Sequence, residues 1–235
     1  MNEPISDRSY HRAVIAAAII GATAVILAAF IQRIPATQMG LRSEPEKSAI
    51  PKTDAAEASL MTASPLRMLT IRAETGDRAS QVELADVYYE GRGIARNFSR
   101  ALYWYKQAAA AGEPRAGTQL GWMYTRGIGT PIDRLEAARF FRSSAEAGDA
   151  RAQNYLGWAF VQGWGVPQDY SQARYWLTKS AAANDRLGLY NLALMDERGL
   201  GGPTDMSSAI SLYKRSASVG YAGARDSLRR LGVAQ

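Results

Sequence analysis

The sequence predicts an all-α protein: a right-handed α-solenoid of four 36-residue helical hairpins with a half-repeat at each end, preceded by one transmembrane helix. Two observations carry this prediction. Residues 76–219 repeat every 36 positions without slippage, and residues 13–31 carry no charged side chain. A repeat period between about 20 and 50 residues is typical of a stacked array, in which each unit buries its apolar face against its neighbours.

The first half of each unit has the pattern of a helix that ends at a pair of glycines. Ala116, Leu120 and Tyr124 lie four residues apart, which places them on one side of a helix. Two glycines separated by one residue follow, and glycine readily takes the positive φ angles that end a helix and turn the chain. We predict structural turns at four such pairs: Gly91 and Gly93, Gly127 and Gly129, Gly163 and Gly165, and Gly199 and Gly201.

A second helix is predicted after every turn, because a strong N-cap residue follows each glycine pair and Gly or Asn closes the segment. The N-cap residues are Asn97, Asp133, Asp169 and Asp205. Each unit is then a helical hairpin, and the units run 76–111, 112–147, 148–183 and 184–219. A single capping helix is expected at each end, at 65–75 and at 220–235.

The repeat pattern is specific enough to resemble a known family. In the second unit it reads A-x-x-x-L-G-x-x-Y-x-x-G-x-G, and it resembles the Sel-one-like repeat (SLR), a relative of the tetratricopeptide repeat with a longer, glycine-marked loop. The fourth unit departs most, with Gly188 in place of the alanine and Asp196 in place of Tyr or Phe. The resemblance implies an adaptor that binds partner proteins on an α-solenoid. We expect no enzymatic activity and no cofactor.

The N-terminal region predicts a membrane anchor. After a flank at 1–12, residues 13–31 would form a helix about 28 Å long, close to the ~30 Å hydrocarbon core of a bilayer. A cleaved signal peptide, with an apolar core of about 7–15 residues, remains the alternative. Arg8 and Arg12 favour a cytoplasmic N terminus, so we expect a single-pass protein of the bacterial inner membrane with periplasmic repeats.

Two further expectations concern the same region. The spacing Ala17-x-x-x-Gly21 would allow two such helices to approach closely, which makes a homodimer through the transmembrane helix possible. Residues 32–64 contain Pro35, Pro45 and Pro51 and show no sustained apolar period, so they are predicted to form a disordered linker that holds the repeats away from the membrane.

The composition excludes several kinds of chemistry. The chain has no cysteine and a single histidine, His11, outside the repeats, so the repeats contain no thiolate, no histidine base and no His or Cys metal ligand. The formal charge of +6 comes from arginines interleaved with acidic residues, and no nucleic-acid-binding motif accompanies it, so no nucleic-acid partner is expected.

The alternatives to an adaptor are an enzyme and a structural spacer. A secreted or periplasmic enzyme acting on cell-wall polymers would need paired carboxylates, and Asp196 and Glu197 are the nearest pair. Adjacent helical residues point about 100° apart, so these two carboxylates do not converge on one bond. The other alternative, a structural spacer, would have a featureless inner surface, whereas the first helices carry aromatic and cationic residues there.

The predicted partner-binding surface lies on the first helices. If Leu120 and Tyr124 face the core, Trp122 lies about 200° away and points outward, and Trp158 repeats it one unit later. Trp, Tyr and Arg are enriched at binding hot spots. The alternative is that both tryptophans pack flat against the adjacent hairpin. We predict that this surface forms a groove that binds another protein or a peptide. The residues predicted to line the groove are Trp122, Trp158, Arg115, Arg151, Thr118, Asn154 and Tyr190.

Overall fold

The structure, a computed structural model, describes residues 65–233. The expected flank at 1–12, transmembrane helix at 13–31, linker at 32–64 and helix-dimerising spacing at Ala17 and Gly21 lie outside the described residues. Within 65–233, every helix is too short or too polar to cross a bilayer.

The described chain forms ten helices and no strands, which confirms the predicted all-α fold. Helix α1 stands alone before four hairpins, units 1 to 4, and α10 stands alone after them. The helices are α1 (Pro65–Glu74), α2 (Arg78–Glu90), α3 (Phe98–Ala110), α4 (Pro114–Arg126), α5 (Arg134–Glu146), α6 (Ala150–Gln162), α7 (Tyr170–Ala182), α8 (Arg186–Arg198), α9 (Met206–Ser218) and α10 (Ala222–Arg230).

Local sequence sets the start of each helix. The first helix of every unit is capped by an acidic side chain that accepts a hydrogen bond from a backbone N–H of the first turn, as Asp149 does from Ala152 at 2.7 Å. The second helices use the predicted Asn or Asp caps, as Asp133 does for Leu135 and Glu136. Because each cap satisfies backbone donors that would otherwise lack partners, the boundaries repeat from unit to unit.

The helix ends are equally regular. Each first helix ends at a glycine with left-handed geometry, and all eight glycines of the predicted turns have φ between 64° and 75°. Each second helix is followed by a further residue with positive φ, which is Asn184 in unit 3 and glycine in the other units. Asn is the residue that best replaces glycine in this conformation, so the chain turns here without a break in the period.

In units 2 to 4, the second glycine of the turn also determines how neighbouring units stack. A Cβ atom built on Gly165 would lie 1.9 Å from the backbone oxygen of Arg134, at the start of the second helix of the preceding unit. On Gly129 and Gly201 it would lie within 3.1 Å of the backbone or side chain of Phe98 and Tyr170. The turn of one unit is thus seated against the preceding unit, and only glycine fits.

The core runs along the whole stack. Leu84, Leu120 and Leu156, one per unit, are fully buried, and Leu192 of unit 4 is 8% exposed. Within a hairpin the helices approach closely because the first helix offers a small residue: a Cβ on Gly121 would lie 2.5 Å from the Phe141 ring. Helices α1 and α10 cover the two ends, with Leu69 and Leu228 buried against units 1 and 4.

Candidate protein-binding face

One side of the first helices forms a continuous surface, which we call the first-helix face. In each of the four first helices it comprises five positions. These are the position equivalent to Trp122, the positions three, four and seven residues before it, and the position four residues after it. Contacts on this side join neighbouring units: Arg115 to Asp86 at 2.7 Å, and Asn191 to Asn154 at 2.7 Å. The Trp122 ring stacks on Tyr155 of the next unit, with centroids 5.6 Å apart. The face therefore crosses all four units.

The structure brings Trp122 and Trp158 together in one pocket between units 2 and 3, the tryptophan pocket, of about 230 Å³. Both rings are half-buried. The Trp122 ring lies against Tyr155 of the adjacent unit and also lines this cavity. The lining residues are Trp122, Thr125, Arg126, Arg134, Ala137, Ala138, Phe141, Tyr155, Trp158, Ala159 and Trp164.

A third tryptophan, Trp164, was missed by the sequence analysis. It lies between the two glycines of the unit 3 turn and is 37% exposed. The guanidinium of Arg134 lies 5.0 Å from its ring centroid. The equivalent turn positions hold Arg92, Ile128 and Leu200. A tryptophan at this turn position in unit 3 was therefore the feature of the sequence that could have pointed to Trp164.

Arg126 and Tyr155 were also missed, although helical spacing pointed to both. Arg126 follows Trp122 by four residues, and its guanidinium lies 4.4 Å from the centroid of that ring. Tyr155 precedes Trp158 by three residues and packs between Trp122 and Phe141. Burial raises the pKa of the Tyr155 hydroxyl, so the phenol is neutral at physiological pH. The pocket therefore combines aromatic walls with a cationic rim.

Two predicted residues do not belong to the exposed surface. Thr118 and Asn154 are 5% and 2% exposed, contrary to the prediction that they line the groove. The reason is that their helix position faces the first helix of the next unit. The Thr118 hydroxyl lies 3.0 Å from Asp149, the cap of α6, and Asn154 accepts a hydrogen bond from Asn191 on α8. Both side chains join units together and are not accessible to a partner.

The remaining predicted residues differ in accessibility. Arg115 is exposed and paired with Asp86, and Arg151 is exposed beside Tyr155 in a cleft of about 440 Å³. Tyr190 is half-buried between Tyr213 and Tyr221, with ring centroids 5.5 and 4.9 Å away. Its main contacts are with α9 and the entrance to α10, so it contributes to the packing of the C-terminal cap.

The character of the face changes in unit 1, where Asp86 occupies the helix position of Trp122 and Trp158. Asp86 is 7% exposed and accepts hydrogen bonds from Arg115 and from the Tyr105 hydroxyl. Burial, together with this bond, raises the pKa of Tyr105. The space beside Asp86 is a cleft of about 610 Å³, here called the acidic cleft, lined by Ala79, Val82, Glu83, Asp86, Glu90, Arg92, Glu113 and Arg115.

The pair Asp196 and Glu197 does not form a paired-carboxylate site. Asp196 is buried and binds Arg174 and Ser208, whereas Glu197 binds Tyr213 and Arg230. Each carboxylate is engaged by its own partners in a different direction. In the described part of the chain, no group of three or more His, Cys, Asp or Glu side chains is arranged to hold a metal ion.

Comparison with known proteins identifies the repeats. The family model described as Sel1 repeat matches residues 78–113, 114–149, 150–185 and 187–221, which is more than half of the chain. The chain belongs to the Sel1 repeat family. Sel1 repeat proteins are scaffolds for protein–protein interaction and are typically not enzymes.

Solved structures agree with the Sel1 assignment. A protective antigen present in uropathogenic Escherichia coli strains, which displays an SLR fold, is 32% identical with a TM-score of 0.65, over 71% of this chain and 36% of the antigen. A Sel1 repeat protein from Oxalobacter formigenes is 32% identical with a TM-score of 0.64, over 68% of this chain and 65% of that protein. A sel1 repeat protein from Klebsiella pneumoniae is 25% identical, with a TM-score of 0.53, over 68% and 76% of the two chains.

The matched Sel1 region is only part of these proteins: this chain spans about a third of the E. coli antigen and just under two thirds of the Oxalobacter protein. No curated protein matches the chain. The Sel1 repeats therefore establish the family and the fold of this chain.

Proposed function

We propose that this Sel1 repeat protein is a membrane-anchored adaptor of the bacterial envelope, and that it binds a segment of a partner protein in the tryptophan pocket. The observation that carries the proposal is the convergence of three tryptophans and two arginines on one open cavity between units 2 and 3. Tryptophan and arginine dominate the energetics of protein interfaces because they bury a large area and also make polar contacts.

The packing around the pocket supports a binding role. A scaffold that needed only to close its core would bury these rings completely, as it does Trp104 at 4% and Trp176 at 6% exposure. Trp122 and Trp158 instead remain half-buried and Trp164 is 37% exposed. Their walls, Phe141 and Tyr155, are held by ring contacts, so the cavity is preformed and little ordering is needed on binding.

Site-specific photo-crosslinking in intact membranes tests the pocket. A photoreactive amino acid in place of Thr125, which lines the pocket, should crosslink a partner protein. The same amino acid in place of Thr178, exposed on the second helix of unit 3, is the matched control and should not. Adding Trp122→Ala and Trp158→Ala should abolish the crosslink from position 125.

The folding of the double variant is checked by its thermal melting curve. If it unfolds, Trp164→Ala takes its place, because this exposed turn residue lies outside the core. Equal crosslinks from positions 125 and 178 would refute the binding site. An unchanged crosslink in a variant that folds but lacks the pocket tryptophans would also refute it.

The anchoring part of the proposal rests on the sequence of residues 1–64. The uncharged run at 13–31 is long enough to span a bilayer, and Arg8 and Arg12 precede it. The spacing Ala17-x-x-x-Gly21 would in addition permit two anchors to pair. With this topology the Sel1 repeats meet partners in the periplasm.

Protease protection in spheroplasts tests the topology. External protease should digest the repeats without disruption of the membrane. Protection of the repeats until the membrane is broken would mean the opposite orientation, and a mature N terminus beyond residue 24 would mean a cleaved signal peptide.

A further inference from the structure

The charge on the first-helix face changes sign along the stack. Unit 1 presents Glu83, Asp86 and Glu90 on this face, whereas unit 2 presents Arg115 and Arg126. The acidic cleft is lined by four carboxylates and two guanidinium groups, and the tryptophan pocket by two guanidinium groups and no carboxylate. A ligand that lies along the face from unit 1 to unit 3 therefore meets first a negative and then a positive environment.

The size and walls of the tryptophan pocket limit what can enter it. Pockets for whole small molecules usually enclose about 300–1,000 Å³, and this one encloses about 230 Å³. Its walls are the rings of Trp122, Phe141, Tyr155 and Trp158 with three alanines. These dimensions and this lining suit one bulky apolar side chain better than a free cofactor.

The rim of the pocket adds a second requirement. The guanidinium groups of Arg126 and Arg134 lie over the rings of Trp122 and Trp164, at 4.4 and 5.0 Å from the centroids. Within residues 65–233 neither forms an ion pair with a carboxylate of the chain. A guanidinium that lies over a ring face keeps N–H groups at its edge for a carboxylate. An acidic residue next to the apolar side chain would complete this arrangement.

The acidic cleft supplies the other end of the ligand. Asp86 is already paired with Arg115 and Glu90 with Arg92, at 2.7 and 2.9 Å. Glu83 is exposed, one helical turn before Asp86, and lies on the same side of α2. Because carboxylates outnumber guanidinium groups in this cleft, a basic side chain is the complementary partner.

The distance between the two sites sets the spacing of the ligand residues. Packed helices lie about 8–10 Å apart, so two steps from α2 to α6 cover roughly 16–20 Å. An extended peptide rises about 3.3 Å per residue and spans this distance with five or six residues.

From these observations we infer the chemistry of the partner segment, an inference that rests on the proposed function. The occupant of the first-helix face is an extended peptide with a bulky apolar residue next to an acidic one, and with a basic residue five or six positions away. The apolar side chain enters the tryptophan pocket, the acidic one meets Arg126 and Arg134, and the basic one lies against Glu83.

The test uses the full-length protein in detergent and a fluorescein-labelled peptide of sequence Lys-Ser-Gly-Ser-Gly-Phe-Glu. Binding is measured by fluorescence anisotropy. Two comparison peptides carry either Ser in place of Phe or the two charges exchanged. We expect Phe to Ser to weaken binding about thirtyfold, and charge exchange to weaken it about tenfold.

Matched protein variants locate the charges. Arg126→Glu should weaken binding about tenfold, whereas Arg198→Glu, at the same helix position two units away, should leave it within about twofold. Glu83→Lys should weaken binding of the original peptide and restore binding of a peptide whose Lys is replaced by Glu. Both arginines and Glu83 are exposed, so these variants are expected to fold.

The results separate this inference from the proposed function. Equal binding of the original and charge-exchanged peptides, or equal effects of Arg126→Glu and Arg198→Glu, would overturn the charge pattern. If the crosslink from position 125 still requires the tryptophans in that case, partner binding in the pocket stands and only the peptide chemistry is wrong. Loss of that specific crosslink would remove the proposed function itself.

Discussion

Two boundaries in the stack, between units 2 and 3 and between units 3 and 4, have the same backbone arrangement. They differ in the side chains at two equivalent positions. At the first, Ala138 of a second helix and Phe160 of the next first helix are both buried. At the second, 36 residues later, the same two positions hold Arg174 and Asp196, which form an ion pair at 2.5 Å. Two buried apolar residues and an ion pair, with Asp196 buried and Arg174 partly buried, thus occupy equivalent places.

The ion pair brings its own set of partners. Arg174 also donates to the Leu200 carbonyl at 3.0 Å, and Asp196 accepts from the Ser208 hydroxyl at 2.6 Å. The network therefore ties the unit 4 turn and its second helix to unit 3. The comparison teaches that the repeat specifies which positions are buried. It does not specify whether the residue there is apolar or charged, because a buried charge is tolerated when it has its partners.

The largest expected effect comes from breaking this pair. Asp196→Ala leaves the partly buried Arg174 guanidinium without its carboxylate and the Ser208 hydroxyl without its acceptor, and should cost about 3–5 kcal/mol of stability. The double variant Arg174→Ala/Asp196→Phe, which copies the residues of the preceding boundary, should regain most of the loss. Chemical denaturation of the wild type and the two variants measures the loss and the regain of stability. If the double variant is no more stable than Asp196→Ala, the two boundaries are not interchangeable.

A second effect concerns the turn at the first boundary. Gly163→Ala and Gly165→Ala place a side chain at nearly the same φ, 69° and 71°. The first should cost about 1–2 kcal/mol, the strain of left-handed geometry. The second should cost about 1–3 kcal/mol more, because its Cβ would meet the Arg134 backbone, whereas Gly163 has no atom closer than 3.7 Å. Equal melting temperatures for the two variants would contradict the seating of this turn on unit 2.

A smaller effect is the response of the C-terminal end to acid. Burial by itself raises the pKa of Glu197, but hydrogen bonds from Tyr213 and Arg230 and the charge of Arg230 outweigh it, so the pKa lies below its usual value. This lowered pKa stabilises the fold above the unfolded value of about 4.3, and the stabilisation is lost as the pH falls through the folded value.

Glu197→Gln tests this pH dependence. At pH 7 it should cost about 1–2 kcal/mol, and its melting temperature should converge on that of the wild type as the pH falls below the folded pKa of Glu197. Glu146→Gln, at an exposed glutamate at the end of α5, is the control and should show no such convergence. A gap between Glu197→Gln and the wild type that stays constant with pH would exclude the linkage.

The smallest effect sets the scale for exposed ion pairs. Arg229 and Asp226 on α10 lie 2.6 Å apart, closely matching Arg174 and Asp196 in distance, but their side chains are 71% and 67% exposed. Arg229→Ala should change stability by less than about 0.5 kcal/mol, because water and salt screen the pair. A loss comparable to that of Asp196→Ala would mean that burial is not what separates the two pairs.

Much of the fold could be predicted because the signals were local. Asp133 and Asp169 cap helices whose first backbone N–H groups are one turn away, and Gly127 turns the chain at the residue itself. The candidate site was predicted only in part. Trp122 and Trp158 were found from helical spacing, whereas the contribution of Trp164 depends on how the unit 3 turn packs against unit 2.

The sequence by itself determined the period, the caps and the turns, since each depends on contacts within a few residues of the same chain segment. Only the tertiary structure decided which polar residues of the first helices stay accessible. Thr118 and Asn154 share a helix face with Trp122 and Trp158 but are covered by the next hairpin. Helical periodicity defines the direction of a side chain, and burial depends on the neighbour that it meets there.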